Sequence, residues 1–189
     1  MNQQPAPASE KQPRVILTTP RLMLRAAVEE DISTLQNRIF GDSEVMRFAF
    51  SGAPMAADAA EDFIRRFFTF GENLTGMAVL TEKPAGEVIG FAGLSPCQAL
   101  EADDFEIGFV LARRAWGRGI ATEIGEAQLV FGFEQLKCGR LLALVDPRNT
   151  PSIRALEKLG MRYRATIAKR GSRNVYVIEA AEWRGRRAE

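Results

Sequence analysis

The sequence predicts one α/β domain in which strands alternate with helices. The chain has 189 residues and 46% hydrophobic content, and its apolar residues change repeatedly between two-residue and helical spacing. A chain of this length can bury one substantial core. The predicted order is β-α-α-β-β-β-α-β-α-β-β, with a strand–helix–strand crossover in the second half.

The first half of the chain contains two predicted helices followed by three strands. An alternating strand at residues 21–25 precedes Asp31, which is predicted to cap a helix extending to about residue 40. Apolar side chains at helical spacing predict a second helix at 56–70. Turn residues at 83–86 then separate strands 76–82 and 87–94, and a further strand fits 105–111.

The second half begins with a long predicted helix at 119–136, whose two apolar stripes indicate cover on two sides. After a strand at 140–145, Thr150 is predicted to cap a short helix with Pro151 at its first position, and Gly160 to end it. Strands at 161–168 and 174–180 close the domain. We expect a disordered tail at 1–13, a domain at 14–184 and a basic tail at 185–189.

Composition excludes several classes of function. The 25 basic and 24 acidic residues create no overall field that would attract nucleic acid or a membrane surface. The absence of histidine excludes Ser–His and Cys–His catalytic pairs and imidazole zinc sites. Cys97 and Cys138 form neither a disulfide framework nor a metal-ligand spacing, which favours the cytoplasm. No segment has the apolar character of a secretory signal or a membrane span.

The segment 116–122 is the strongest candidate for ligand binding, because it follows a strand and opens a helix. Gly117 and Gly119 allow the backbone to approach a ligand, and the helix start supplies unpaired N–H groups suited to a pyrophosphate. Arg113, Arg114 and Arg118 add positive charge. Two alternatives remain: a simple glycine-rich turn, and a dinucleotide-binding Rossmann unit. The second is disfavoured by Thr122 at the third glycine position and by missing strand–helix pairs.

Three segments together resemble the GNAT acetyltransferases, and most closely the branch of ribosomal-protein N-terminal (RimJ/RimL-like) acetyltransferases. They are the Trp-Gly-Arg-Gly-Ile-Ala-Thr-Glu loop after strand 105–111, the opening stretch 19–31, and residues 149–161. The resemblance covers roughly residues 17–183. It implies a mixed, mostly antiparallel sheet of about seven strands flanked by about four helices, with acetyl-CoA as the cofactor.

The resemblance also implies roles for individual residues. The backbone N–H groups that would hold the pyrophosphate belong to Gly117, Arg118, Gly119, Ile120, Ala121 and Thr122, with Arg114 and Trp116 beside them. The main chain that would pair with the pantetheine arm belongs to Phe109, Val110 and Leu111. Asn149 and Ser152 would contact the cofactor near its thiol end, unless they serve only as turn and helix-start residues. Leu156 departs from the family pattern, because many members carry there a tyrosine that protonates the leaving thiolate.

Acyl transfer to an amine requires a neutral amine, a donor for the developing oxyanion and a thiolate that leaves. An α-amino group has a pKa of ~7.7–8.0 against ~10.4 for lysine, so it needs little base. Without histidine the base is a carboxylate, and Glu106 is the first choice, with an exposed strand residue as the alternative. Ser152 is a second catalytic candidate, and an N–H near Val110 is a candidate oxyanion donor.

The expected reaction is direct acetyl transfer to a primary amine, either a protein N-terminal α-amine or a small amine. A GNAT-like acyl-CoA-binding module without transfer activity and a nucleotide-binding regulator are the alternatives. We expect the acceptor surface at 37–57 and 95–104. Phe48 and Phe50 either line an acceptor cleft or pack in the core, and the core is favoured. The acidic residues Glu101, Asp103 and Asp104 either attract a cationic acceptor or are solvated, and solvation is favoured. A monomer and a homodimer both remain open.

Overall fold

The computed structural model describes residues 12–168 and 171–188, so the predicted tail at 1–13 lies outside the described residues except for 12 and 13. Eight strands form one sheet in this part of the chain, in the order β1-β2-β3-β4-β5-β6-β8-β7. The strands are β1 (Val15–Thr18), β2 (Leu22–Arg25), β3 (Gly76–Glu82), β4 (Glu87–Cys97), β5 (Asp104–Leu111), β6 (Arg140–Val145), β7 (Arg162–Ala168) and β8 (Ser172–Glu179).

Six α-helices accompany the sheet in the described ranges. They are α1 (Glu29–Leu35), α2 (Ser43–Met46), α3 (Ala57–Phe67), α4 (Ile120–Val130), α5 (Thr150–Lys158) and α6 (Ala180–Ala188). Single π-helical turns, Gln36–Phe40 and Phe131–Gln135, extend α1 and α4. The predicted mixed, mostly antiparallel class is therefore confirmed, and the seven predicted strands and four predicted helices are all present.

The sheet opens in its middle, between β5 and β6. This parallel pair is joined only at Phe105↔Leu141 and Glu106↔Leu142, whereas the other neighbouring pairs are antiparallel. Beyond Glu106, β5 continues alongside β4 as far as Leu111, and β6 continues alongside β8 as far as Val145. The two strands thus diverge toward their carboxyl ends and leave a wedge-shaped gap, called the wedge below.

The two faces of β5 pack against different layers, because successive side chains of a strand point to opposite faces. Ile107 and Leu111 belong to apolar clusters that include α4. Val110 belongs to the other face, where it packs against a cluster from α1, α3 and the sheet. The centre of that cluster is aromatic, with Phe40 stacked on Phe91 at a centroid distance of 5.5 Å. Glu106 has the same parity as Val110 and so lies on the α1/α3 face.

Two predicted helix caps are wrong by a few residues. Val28 holds the N-cap position of α1, and Asp31 lies in the first turn, where its carboxylate accepts from the Val28 N–H at 2.9 Å and from Arg25 at 2.6 and 2.8 Å. At α5 the cap is Asn149, and Thr150 is the first helical residue. Asp31 does satisfy a backbone N–H at the start of α1, but it does so from the third helical position. At α5 the adjacent Asn149 is an equally good cap and takes the position.

Three elements are additional to those predicted. β1 is four residues long and pairs with β2, and α2 is four residues long and is capped by Asp42, which accepts from Glu44 N at 3.0 Å. The third is α6, which crosses the predicted boundary at residue 184. Trp183 anchors this helix, being 4% exposed and 5.1 Å from the Phe133 ring.

The close approach of β3 and β4 gives a testable prediction at Gly93. A Cβ at this position would lie 1.9 Å from the Gly76 carbonyl oxygen, so β3 would have to move. We expect Gly93→Ala to lower the free energy of unfolding by at least about 2 kcal/mol, measured by urea denaturation. Gly108 lies opposite Gly93 on β5, and a Cβ there meets nothing within 4 Å. Gly108→Ala is therefore the matched control, and equal destabilisation by both variants would contradict this packing.

Candidate active site

The glycine loop that precedes α4 lies at the carboxyl end of β5. Gly117 and Gly119 have φ values of +70° and +75°, and Gly119 is the N-cap of α4. Other residues rarely adopt this left-handed backbone, so the loop requires glycine at both positions. Residues 116–119 are exposed. This exposed loop ends at the N-terminus of α4, whose first N–H groups have no partner within the helix, and a helix N-terminus of this kind suits a pyrophosphate.

The arginines beside this loop are paired with carboxylates. Arg118 donates to Glu82 at 3.1 Å, and Arg114 donates to the Val88 carbonyl at 2.8 Å and pairs with Glu87. The hydrogen bonds from Arg118 and Arg114 hold the pKa values of Glu82 and Glu87 below their usual range. A bound phosphate therefore has to displace Glu82 before it pairs with Arg118. The backbone N–H groups of the loop can bind a phosphate without first giving up a partner within the protein.

The backbone N–H and C=O groups of successive residues point to opposite edges of a strand, and this alternation decides which groups of β5 face the wedge. Ala112 N donates to the Ile89 carbonyl at 2.9 Å, which directs the backbone groups of Ala112 and Val110 toward β4. Those of Phe109 and Leu111 consequently face the wedge. The Leu111 carbonyl already accepts from the Trp116 indole N–H at 2.8 Å. A pantetheine arm in the wedge would therefore pair mainly with Phe109.

Glu106 lies at the closed end of the wedge, in the last register pair that joins β5 to β6. It is partly buried, and Ser95 is its partner on β4. Two residues further on, Gly108 leaves open space on the same face, since a Cβ there meets nothing within 4 Å. The structure therefore places a carboxylate beside free volume where the two strands separate.

The start of α5 lies beyond β6, on the other side of the wedge. Asn149 Oδ1 accepts from Ser152 N at 3.3 Å, so the Asn149 side chain does serve as a helix cap. Leu156 is 3% exposed and packs in the core with α4 and β8, which leaves no hydroxyl at that position.

Tyr176 is 6% exposed, and burial raises its pKa. Tyr163 is exposed and hydrogen-bonds Thr166 at 2.9 Å.

A cavity of about 360 Å³ lies between the loop 47–52, residues 146–148 after β6, and residues 171–173. At its floor Asp146 is 6% exposed and accepts from Arg148 at 2.9 and 3.0 Å and from Arg173 at 3.2 Å. The hydrogen bond from Arg148 lowers the pKa of Asp146 to about 2. Arg173 also donates to the Phe50 carbonyl at 2.8 Å. We call Asp146, Arg148, Arg173 and Phe50 the clasp.

The clasp removes the basis of the dinucleotide alternative. A Rossmann unit uses an acidic residue after its second strand to bind a ribose, and Asp146, which follows β6, is the residue in that place. Its carboxylate instead binds two arginines. The sheet is also unsuitable for a Rossmann unit, which needs mostly parallel strands. In the described chain the parallel pair β5–β6 lies between antiparallel neighbours. Asp146 therefore has a structural role at the wedge.

The predicted acceptor surface is divided between two cavities. Residues 47–52 line the cavity at the clasp, whereas part of loop 95–104 lines a second cavity of about 430 Å³ at the amino end of β5, away from the glycine loop. Asp104 is not solvated as expected, because it is 9% exposed and binds Arg140 through two 2.8 Å contacts.

The expectation that both phenylalanines of loop 47–52 pack in the core holds for one of them. The Phe50 ring lies 4.7 Å from Phe63 and 6.3 Å from Phe91. Phe48 is half-buried and lines the cavity, and the guanidinium groups of Arg47 and Arg148 lie over its ring at 5.1 and 5.7 Å. The core prediction for Phe48 is therefore wrong.

Comparison with known proteins agrees with this arrangement. A family model described as the acetyltransferase (GNAT) domain matches residues 21–162. The uncharacterized protein YkkB of Bacillus subtilis (strain 168) is 36% identical over 156 residues, which cover 81% of this chain and 88% of YkkB. The chain belongs to the GNAT acetyltransferase family. As a GNAT member it is an acetyltransferase that uses acetyl-CoA, and the predicted enzyme class and cofactor are confirmed.

A second relative supports the same family, and solved structures show the same fold. The uncharacterized N-acetyltransferase p20 of Bacillus licheniformis is 33% identical over 144 residues, 76% of this chain and 80% of that protein. A GNAT-family acetyltransferase from Bacillus anthracis superposes with a TM-score of 0.74 at 24% identity, covering 88% of this chain and 99% of that one. Spermidine N-acetyltransferase from Vibrio cholerae, solved with CoA and spermine, gives 0.70 at 16% identity, covering 87% and 99%.

Three arginines of the cavity at the clasp could not be identified from the sequence. Arg47, Arg148 and Arg173 belong to no motif, and they meet only because the loop 47–52 folds against the ends of β6 and β8. The one local signal is the Asp-Pro-Arg turn after β6. None of the helices in the described chain is long and apolar enough to cross a membrane.

The clasp predicts a pH-dependent stability. Because the folded-state pKa of Asp146 is about 2, its ionised form stabilises the fold above pH ~4 and loses that effect as the pH falls toward 2. We expect Asp146→Asn to cost roughly 1–2 kcal/mol at neutral pH, a value discounted because Arg148 is exposed to solvent. The measurement is urea denaturation from pH 7 to pH 2, in which the difference from the parent protein should shrink below pH ~4.

The control for this experiment is Asp62→Asn on α3, where the carboxylate is exposed. Its effect should be small at every pH. A destabilisation by Asp146→Asn that stays constant down to pH 2 would show that the clasp does not depend on charge.

Proposed function

We propose that this GNAT enzyme transfers the acetyl group of acetyl-CoA directly to a primary amine, and that the amine reacts at the wedge beside Glu106. The proposal rests on one observation, which is that three features lie at the same place in the structure. They are the separation of β5 from β6, the carboxylate of Glu106 at the closed end, and the open volume at Gly108. A protein N-terminal α-amine, as in the RimJ/RimL-like branch, is the preferred acceptor, and a small amine is the other candidate.

Donor binding is proposed to use the glycine loop and the free edge of β5. The pyrophosphate would be held by backbone N–H groups of residues 117–122, with Arg114 and Arg118 contributing charge once they leave Glu87 and Glu82. The pantetheine arm would pair with Phe109 and lie along Val110 and Leu111, under Trp116. Asn149 and Ser152 would lie near the thiol end. Bound acetyl-CoA supplies the thioester.

Glu106 is proposed as the base that accepts the proton of the amine, directly or through water. An α-amine with a pKa of ~7.7–8.0 is partly neutral at pH 7, so a carboxylate is a sufficient base. Leu156 offers no acid, but a thiol with a pKa of ~8.5 leaves readily as the thiolate. The positive end of α5, where Ser152 lies in the first turn, would favour that charge.

We further propose that the enzyme acts in the cytoplasm. Cys97 and Cys138 lie far apart in the sequence and their spacing gives no disulfide framework, which suits a reducing compartment.

The proposed donor site predicts the effect of a negative charge at Gly119. We expect acetyl-CoA and CoA to bind with micromolar dissociation constants in isothermal titration, and Gly119→Glu to weaken both at least about tenfold. The added carboxylate opposes the pyrophosphate, and the left-handed backbone disfavours any side chain. Gly139→Glu, at the amino end of β6, adds the same charge away from the loop and should leave the dissociation constant unchanged. Equal affinity of the two variants would place the cofactor elsewhere.

The proposed base predicts the effect of removing the charge at Glu106. We expect Glu106→Gln to lower kcat about 100-fold with an α-amine acceptor and to flatten the acidic limb of the pH–rate profile, while acetyl-CoA still binds. The kcat and the pH–rate profile are both measured from the release of CoA, which is detected with a thiol reagent. Glu126→Gln, on an exposed position of α4, is the control. An unchanged kcat and pH profile in Glu106→Gln would remove Glu106 from the mechanism.

A further inference from the structure

The cavity at the clasp carries excess positive charge. Arg47, Arg148 and Arg173 line it together with one carboxylate, Asp146, which both Arg148 and Arg173 bind. The clasp thus keeps one net positive charge, and Arg47 adds another. The Glu44 carboxylate lies 4.0 Å from Arg47, at the outer limit of an ion pair, and both side chains are more than half exposed. The cavity therefore favours an anion.

The same cavity lies at the open end of the wedge. Asp146 directly follows β6, the strand that forms one wall of the wedge. On the other side, the Phe50 ring is stacked with Phe91, 6.3 Å away, and Phe91 is the register partner of Val110 on β5. Arg173 joins the two sides by donating to Asp146 and to the Phe50 carbonyl. The cavity consequently lies on the α1/α3 face, the face that carries Glu106.

Two of the arginines are arranged to bind a ligand. Arg47 and Arg148 lie over the Phe48 ring at 5.1 and 5.7 Å, which limits the orientations of both guanidinium groups. Their side chains are 64% and 76% exposed, so both remain accessible. The Arg47 guanidinium can bind a carboxylate or a phosphate through two parallel hydrogen bonds. Arg148 already donates Nε and Nη2 to Asp146, so it contributes only its remaining N–H groups. Arg173 is only 13% exposed and has a structural role.

From this cavity we infer that the acceptor carries an anionic group in addition to its reacting amine, and that Arg47 and Arg148 bind that group. The inference rests on the proposed function. The preferred acceptor is a peptide whose N-terminal α-amine is followed by acidic residues, and a small amine bearing a carboxylate or phosphate shares the same chemistry. Polycationic amines are disfavoured, because their charge is repelled at the cavity.

The test compares acceptors of different charge, and the Glu and Gln peptides have nearly the same shape. Three peptides begin with Ser-Glu-Glu, Ser-Gln-Gln and Ser-Lys-Lys. Phosphoethanolamine and β-alanine are compared with ethanolamine and spermidine, which distinguishes a peptide acceptor from a small one. We expect kcat/KM to fall at least about tenfold from the Glu to the Gln peptide and further for the Lys peptide. A Lys peptide that reacts as fast as the Glu peptide would overturn the inference.

Arg47→Gln tests the cavity itself. We expect it to raise the KM of the Glu peptide about fivefold to tenfold, with kcat within about twofold and the Gln peptide unaffected. The matched control is Arg66→Gln on α3, because Arg66 also lies over a phenylalanine, 5.4 Å from the Phe67 ring, but outside the cavity. Arg148→Gln should act in the same direction, and its urea denaturation reports any loss of the clasp. Equal KM effects of Arg47→Gln on all three peptides would contradict the assignment.

Failure of the proposed function is distinguishable from failure of this inference. If no acceptor releases CoA from a protein that binds acetyl-CoA, direct transfer is contradicted. Titration of the CoA-bound protein with the Glu peptide then decides on the cavity. If the Glu peptide binds and its binding is lost in Arg47→Gln, the anion site is supported. If the Glu peptide and the Lys peptide bind with equal affinity, the anion site is contradicted.

Discussion

The divergence of β5 from β6 is the constraint on which the rest of this structure depends. Two register pairs hold the strands together, and beyond Glu106 the β5 edge faces an opening inside the domain. Buried backbone groups need partners, so an opening in a sheet persists only where other elements hold the strands apart and a ligand or water supplies hydrogen bonds. Here α4 supports one face of β5 and the aromatic cluster the other. The clasp fixes the far end of β6 to the loop 47–52.

Much of the fold could be predicted because its signals are local. Strands 76–82 and 140–145 have the predicted bounds, since turn residues and two-residue alternation lie within a few positions of them. Gly117 and Gly119 were identifiable because a loop that opens a helix with left-handed backbone requires glycine. The cap of α5 was misplaced by one residue because Asn149 and Thr150 are both good caps, and only the fold decides between them. β1 and α2 are too short to give a periodic pattern, and their stability comes from tertiary contacts.

The charge pairing could not be predicted, because it joins residues far apart in the chain. Arg173 and Phe50 are separated by 123 positions and meet through one hydrogen bond. At the glycine loop the sequence indicated free cations, whereas Arg118 and Arg114 are bound to carboxylates of the β3–β4 hairpin. Composition gives the number of charges but not their partners, and the partners decide whether an arginine is available to a ligand or occupied by the fold.

The two sides of the wedge differ in which atoms are available for binding. On the donor side the groups that need no rearrangement are main-chain N–H groups and the β5 edge, which depend on glycine and strand geometry rather than on side-chain identity. On the other side the cavity is formed by the side chains of a surface loop, of the turn after β6 and of the start of β8. Substitutions at Arg47 or Phe48 would change that cavity without disturbing the backbone of the donor site. This division gives a physical reason for one GNAT fold to keep its donor while its acceptor changes, because recognition of the acceptor lies in loops that the core does not constrain.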